Sequence, residues 1–382
     1  MPGLKDLALK LSVAVTLGVL LLSVGELAAL IYLRYDPDPS PYAKLHLPAD
    51  YARELEASRR TQYLPYVGWR RSRYDGRFIS VDNQGVRRTL NSDCGNEKNL
   101  VVWIFGDSAL WGTGSSDAET IPSQLANLYE DAGQKVCVRN YGETGWVSTQ
   151  EVIELILQLK QLNRKPDIVV LYDGTDEILM PSEGVPVGAD RGYQRFRQLL
   201  DDSQDQNKPG FWYLNQTNTA RALNRIAAQL RVSRHSGAKP NLPPQEAKTA
   251  AQLSIDNYRR NLQIVDSLAQ TYGFRSFYFW YPMSAAGHKP LTREEQMFVS
   301  REAAQAPRVY ELTQATYALC EKLQRPNFLY LGDILDADPQ QLYLDFSHLS
   351  PQGNRLVAQY MFQVLQGSKV NNHHEQGRPV PY

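Results

Sequence analysis

The chain has 382 residues, enough for one large domain or two ordinary ones, and carries 41 Lys plus Arg against 41 Asp plus Glu. That neutrality argues against a nucleic-acid binder, which shows a basic excess. Three cysteines, Cys94, Cys137 and Cys320, make neither a disulfide scaffold nor a C-x-x-C zinc or redox motif. A single Cys94–Cys137 disulfide is open to a domain outside the cytosol.

Leu11 to Leu33 is apolar apart from Glu26 and small polar residues. As a helix it spans about 35 Å, enough to cross a bilayer. A cleaved signal peptide would end its apolar core near a small-residue site, but here the apolar character continues past Ala28-Ala29 into Leu30, Ile31 and Leu33. The segment therefore reads as an uncleaved anchor over residues 1–34. Lys5 and Lys10 precede the span and Arg34 and Lys44 follow it, so charge orients it only slightly. An N-terminal anchor before one long domain delivers that domain outside, with the N-terminus in the cytoplasm. Glu26 reads either as a charge tolerated in the outer third of the helix or as a contact with another membrane protein.

Residues 35–99 read as a linker and a small β extension. "YDPDPSPY" (Tyr35–Tyr42) is extended and proline-rich. "LPADYARELEASRRTQY" follows as a short amphipathic helix. Tyr66–Ser92 alternates, with turn signals at Tyr74-Asp75-Gly76 and Asn83-Gln84-Gly85. From Leu100 to Gly367 strands alternate with helices. "NLVVWIF", "QKVCVRN", "DIVVLY", "FRSFYFWY" and "NFLYLG" are the strands. The helices lie in "IPSQLANLYEDAG", "STQEVIELILQLKQLN", "AQLSIDNYRRNLQIVDSLAQTYG", "QATYALCEKLQ" and "SPQGNRLVAQYMFQVLQG". This order predicts a doubly wound α/β domain on a mainly parallel, five-stranded sheet. Residues 180–248 are too long for an ordinary connection and read either as a surface insertion or as a lid over the strand ends. A helix is expected within them at "NTARALNRIAAQLR". Residues 368–382 have the composition of a disordered tail, where His373-His374 is solvated.

Four stretches fall at strand ends, where parallel sheets place their ligands. "IFGDSALWGTG" puts Ser108 at the rim, with its N–H pointing outward where negative charge can be stabilised. "NYGETGWVSTQE" offers Gly142 and Gly145 for close backbone approach. "DIVVLYDGTDEI" crowds Asp173, Asp176 and Glu177 against the end of a buried strand. In "DFSHLSPQGN", Asp345 and His348 are three apart, so a short loop brings carboxylate to imidazole. That contact fixes the tautomer and frees the other ring nitrogen to take a proton. His46, His235 and His288 have no such setting.

Read together, the four stretches resemble the SGNH, or GDSL-like, hydrolases, in family order from about Leu100 to Gly367. The resemblance implies a flavodoxin-like SGNH fold. It makes Ser108 the nucleophile, with Asp345 and His348 completing the triad, and Ser108 and Gly145 oxyanion-hole N–H donors. The N-terminal anchor and extension are similar to membrane-tethered members found with bacterial envelope polysaccharide genes. The expected activity is that of a serine esterase or O-acyltransferase on acyl esters, O-acetyl above all, of an envelope glycan, with no metal or organic cofactor. The family's third block reads Gly-x-Asn-Asp, and its asparagine donates to the oxyanion; here Asp176 stands in that place. The load then falls on the backbone donors or Thr175, or Asp176 holds its proton, or the enzyme is weak or retired. The alternatives are a glycan-binding or assembly protein on the same fold, or a lipid or thioester hydrolase with "FYFWYPM" lining an acyl groove.

Overall fold

The computed structural model describes residues 2–35, 47–161, 164–204, 217–234 and 243–367. The proline-rich linker from Asp36, His46, His235 and the tail with His373-His374 lie outside the described residues. The chain divides into two units: Met1–Pro41 with Gln194–Ala238, and Tyr42–Tyr193 with Lys239–Tyr382.

In the larger unit the extension comes first. A helix over Ala49–Ala57 precedes the antiparallel pair β1 (Thr61–Leu64) and β2 (Gly68–Arg71), then the short pair β3 (Tyr74–Asp75) and β4 (Ser80–Val81). The main sheet holds β5 (Leu100–Gly106), β6 (Val136–Asn140), β7 (Ile168–Asp173), β8 (Arg275–Trp280) and β9 (Phe328–Tyr330). All neighbours in it are parallel, in the order β6-β5-β7-β8-β9. Numbered by chain order within the sheet this is 2-1-3-4-5, the flavodoxin-like doubly wound arrangement, whose crevice opens between the first and third strands.

These strands read as unbroken apolar runs because helices cover both faces. β7 is buried at every residue. Helices Ile121–Asp131 and Pro351–Leu365 pack together, as do Ser148–Gln161, Pro244–Tyr272 and Pro307–Cys320. Each fully buried Val, Leu or Ile contributes about 1.5–3 kcal/mol. The aromatic stretch at β8 belongs to this core: Tyr278, Phe279, Trp280, Tyr281 and Met283 are buried. It therefore lines no open groove.

Several boundaries differ from the sequence reading. The helix expected in "QATYALCEKLQ" runs Pro307–Cys320, starting earlier because proline suits the first helical turn. The helix leading into β8 likewise begins at Pro244. Arg293–Gln305, opened by a Thr292–Glu295 capping box, has too weak an apolar stripe to be read from pattern. A helix at Tyr193–Gln204 was also not expected. Within the stretch 180–248, residues up to Tyr193 and from Lys239 belong with the sheet unit.

The smaller unit holds the N-terminal helix, Pro2–Tyr35, and helix Asn218–Arg234. Over Leu9–Tyr35 the first helix is long and apolar enough to cross a membrane, with mean hydropathy 2.2. Glu26 has partners within its own unit. Its carboxylate accepts the N–H groups of Asn218 at 2.8 Å and Thr219 at 2.9 Å, the first residues of the second helix. A charge costly in lipid is thus satisfied within the chain by two backbone donors that a helix start leaves without partners.

Candidate active site

β5 ends at Gly106 because only glycine fits there. A Cβ would lie 2.5 Å from the Tyr172 carbonyl oxygen of β7 and 2.8 Å from Leu110 Cβ. The chain then turns at Asp107 into the short helix Ser108–Trp111. Asp107 Oδ1 accepts the Ala109 N–H at 2.8 Å, and Oδ2 accepts the Tyr281 hydroxyl at 2.5 Å. The same Tyr281 oxygen accepts the Thr175 N–H at 2.6 Å. One tyrosine beyond β8 therefore ties the loop after β5 to the loop after β7.

The loop after β6 is held from outside the sheet. Glu143 N–H donates to the Gly106 carbonyl at 3.0 Å. The buried Glu143 carboxylate accepts the N–H groups of Arg71 and Thr144, both at 2.8 Å. Arg71 also donates to Thr144 Oγ1 at 2.9 Å, and Trp69 Nε1 to the Thr144 carbonyl at 3.1 Å. Trp146 Nε1 returns a bond to the Trp69 carbonyl at 3.1 Å. The β1–β2 hairpin thus grips the segment that presents Gly145. Gly145 takes φ +80°, which a side chain would strain. Among the described residues no acceptor meets its N–H.

The loop before the last helix carries Asp345 and His348. Asp345 Oδ1 accepts the N–H groups of Ser347 at 2.8 Å and His348 at 2.7 Å, while Oδ2 lies 2.8 Å from His348 Nδ1. His348 Nε2 lies 2.9 Å from Ser108 Oγ, across 240 residues of chain. The loop is pinned at its base by Glu295, whose buried carboxylate pairs with Lys289 at 2.7 Å. That carboxylate also accepts the Leu342 N–H at 2.8 Å and the Tyr343 N–H at 3.1 Å. Behind it, Ser350 caps the last helix on the Gly353 N–H.

Asp345 and His348 set each other's charge. Burial disfavours the Asp345 carboxylate, but His348 and the two loop N–H groups outweigh it and hold the group below its usual range. Burial likewise disfavours a charged His348, but Asp345, aided by Asp107 and Asp176, raises the ring above its ordinary value. A ring fixed with its proton on Nδ1 and a basic Nε2 against a serine hydroxyl can act as general base.

The acids after β7 divide by role. Thr175, Asp176 and Glu177 open a helix, Thr175–Ser182. Glu177 accepts the Ser148 N–H at 2.5 Å, facing the start of the helix after β6. Asp173 and Glu151 are both buried, and burial, joined for Glu151 by the Asp173 charge and for Asp173 by the Glu177 charge, pushes both carboxyls well up. Asp176 is buried, and burial together with the Asp107 charge raises it to about 7 against the opposing pull of Arg191. Its Oδ1 lies 3.5 Å from Arg191 Nη2. Thr175 has both donors engaged: its N–H on Tyr281, and its hydroxyl toward Met283 Sδ at 3.5 Å.

The structure therefore brings Ser108, His348 and Asp345 into one hydrogen-bonded row, with Gly145 on the loop after β6, Asp176 in the first turn of the helix after β7 and Thr175 turned into the packing. His288 stands apart, exposed and near Asp336. Among the described residues no group of three or more His, Cys, Asp or Glu side chains could hold a metal ion. Sequence reasoning missed Tyr281, Glu295, Trp69 and Arg191. Only Glu143, inside the second stretch, stood beside a quoted glycine.

No family model and no curated protein matches the chain. Several solved structures are similar at low identity. A member of the lipolytic G-D-S-L family from Veillonella parvula is 12% identical, with TM-score 0.35, over 71% of this chain and 100% of that one. The psychrotrophic esterase EstA of a Pseudoalteromonas species is 12% identical, with TM-score 0.37, over 70% and 98%. An acetyl xylan esterase is 15% identical, with TM-score 0.34, over 70% and 100%. Likeness of this strength assigns no activity.

Proposed function

We propose that the chain is a membrane-tethered serine esterase or O-acyltransferase of acyl esters, O-acetyl above all, on an envelope glycan. The observation that carries this reading is the row Ser108 Oγ–His348 Nε2–Asp345, at 2.9 and 2.8 Å, at the carboxyl ends of the strands. Ser108 Oγ attacks the ester carbonyl carbon while His348 Nε2 takes its proton, and Asp345 supports the imidazolium. The oxyanion forms against the N–H groups of Ser108 and Gly145, with the Asp176 O–H as a third donor while that carboxyl is protonated. His348 returns the proton to the leaving alcohol. Water or an acceptor hydroxyl then repeats the sequence on the acyl-serine, giving hydrolysis or transfer. Thr175 is assigned no role in this scheme.

The Leu9–Tyr35 helix supports the tether. The Cys94–Cys137 disulfide supports a domain outside the cytoplasm, with the N-terminus inside. Asp176 in place of a permanent donor favours one other reading, a glycan-binding or assembly protein that kept the row without the chemistry. Labelling by a fluorophosphonate probe decides between them. Wild type should label, and Ser108→Ala and His348→Ala should not; a wild type that stays unlabelled leaves only the binding protein.

A further inference from the structure

The stretch "VPVGADRGY", Val185–Tyr193, lies within the sheet unit and packs as a peg. Val185, Ala189 and Tyr193 form an apolar cluster with Val147 and Met180. Val147 is two residues after Gly145, and Met180 is four after Asp176, so the peg seats itself against the segment that follows Gly145 and the helix that Asp176 opens. Its turn is fixed locally: the Gly192 N–H donates to Asp190 Oδ1 at 2.6 Å, and the Tyr193 N–H to the Asp190 carbonyl at 3.0 Å.

The consequence is the placement of Arg191. A Cβ built on Gly145 would find Arg191 Nη1 at 3.7 Å, its Cζ at 3.8 Å and Trp69 Cζ2 at 3.6 Å. The guanidinium and the indole therefore both lie against Gly145, the glycine that the proposed scheme assigns to the oxyanion. Arg191 reaches Asp176 with one nitrogen, yet its side chain is 48% exposed while that of Asp176 is 5% exposed. A guanidinium carries five N–H donors in a planar fork, and a single 3.5 Å contact leaves most of them available. The buried acid it meets is Asp176, on which Asp107 and Glu177 also act.

We propose that Arg191 selects the substrate of this site by binding a carboxylate carried by the ester, with Trp69 offering its ring to the adjoining sugar. The inference rests on the acyl-ester reading and names the substrate class within it. The carboxylate has two possible sources, a uronate sugar bearing a neutral acyl group or a dicarboxylic acyl group on a neutral sugar.

The test is calorimetric binding to the full-length Ser108→Ala protein in detergent, where nothing is turned over. The probes are acetylated oligogalacturonate, its neutral methyl ester, and a succinylated neutral oligosaccharide beside its acetylated counterpart. One carboxylate probe should bind about 10–100-fold more tightly than its neutral partner, the range of one charge-assisted contact. Arg191→Gln should erase that preference and Arg191→Lys should keep part of it. The probe that shows it names the source. Equal binding of charged and neutral probes, or a preference that survives Arg191→Gln, overturns the proposal. Because binding needs no catalysis, failure of probe labelling and failure of this selectivity are separate results.

Discussion

Asp176→Asn is the most informative single change at this site. With its carboxyl raised to about 7, Asp176 can donate to an oxyanion on the acid side of neutrality and only accept above it. His348 must be neutral to act as base, and its raised pKa moves the acid limb of the rate profile above the ordinary imidazole range. Wild-type kcat/KM should therefore peak near neutrality and fall about tenfold per pH unit on the alkaline side. At pH ~9 only about 1% of Asp176 would hold its proton. Asparagine donates at every pH, so the variant should gain about 10²-fold there, which lies within the ~10²–10³ that one oxyanion donor is worth. The acid limb should also move down, because the Asp176 charge helps raise His348. Stability should follow the same sign. A carboxyl whose folded pKa lies above its unfolded one holds its contribution below the unfolded value and loses it as pH climbs through the folded one. Asp176→Asn should therefore stabilise the protein above neutrality by up to about 4 kcal/mol. The assay is kcat/KM on a short aryl ester from pH ~5 to ~9, beside the melting temperature. An alkaline limb that persists in the variant, or activity that falls at every pH, refutes the reasoning.

Three further outcomes follow from the same geometry. Burial raises the Glu151 and Asp173 carboxyls well above their ordinary range, so stability should decline as pH rises from that range. Glu151→Gln or Asp173→Asn should flatten the melting temperature between pH ~5 and ~8; an unchanged slope counts against raised carboxyls at this pair. Glu295→Ala should strand Lys289 in the interior, costing about 3–5 kcal/mol, and should lower kcat by loosening the loop of Asp345 and His348. A change in melting temperature with kcat intact would detach that residue from the site. Reducing Cys94–Cys137, which closes 43 residues of chain, should cost about 4 kcal/mol, read as a lower melting temperature in dithiothreitol.

Much of the architecture is local in origin and could be read before any coordinates. β5 and β7 announce themselves as unbroken apolar runs, and the helices between strands repeat at helical spacing. Asp345 and His348 are three residues apart, so their contact is a property of one short loop. Gly106 and Gly145 sit where any side chain would collide or strain. Pattern failed where an element is held by distant partners: the polar helix Arg293–Gln305 exists because Glu295 reaches a buried lysine and the loop beyond Leu342. Glu26 reads from sequence as a charge tolerated in the outer third of its helix or as a contact with another membrane protein, because nothing in that helix foretells the start of a second one 192 residues away.

What the sequence determined by itself is the alternation of strands and helices, the turn at each strand end and the kind of chemistry offered there, because these depend on side-chain period and backbone freedom within a few residues. The tertiary structure decided which of those offers meet. Ser108 and His348 come together only through the order of strands in the sheet. Tyr281, Trp69 and Arg191 reach the site from other elements, by contacts whose energy depends on distance in space and is blind to separation along the chain.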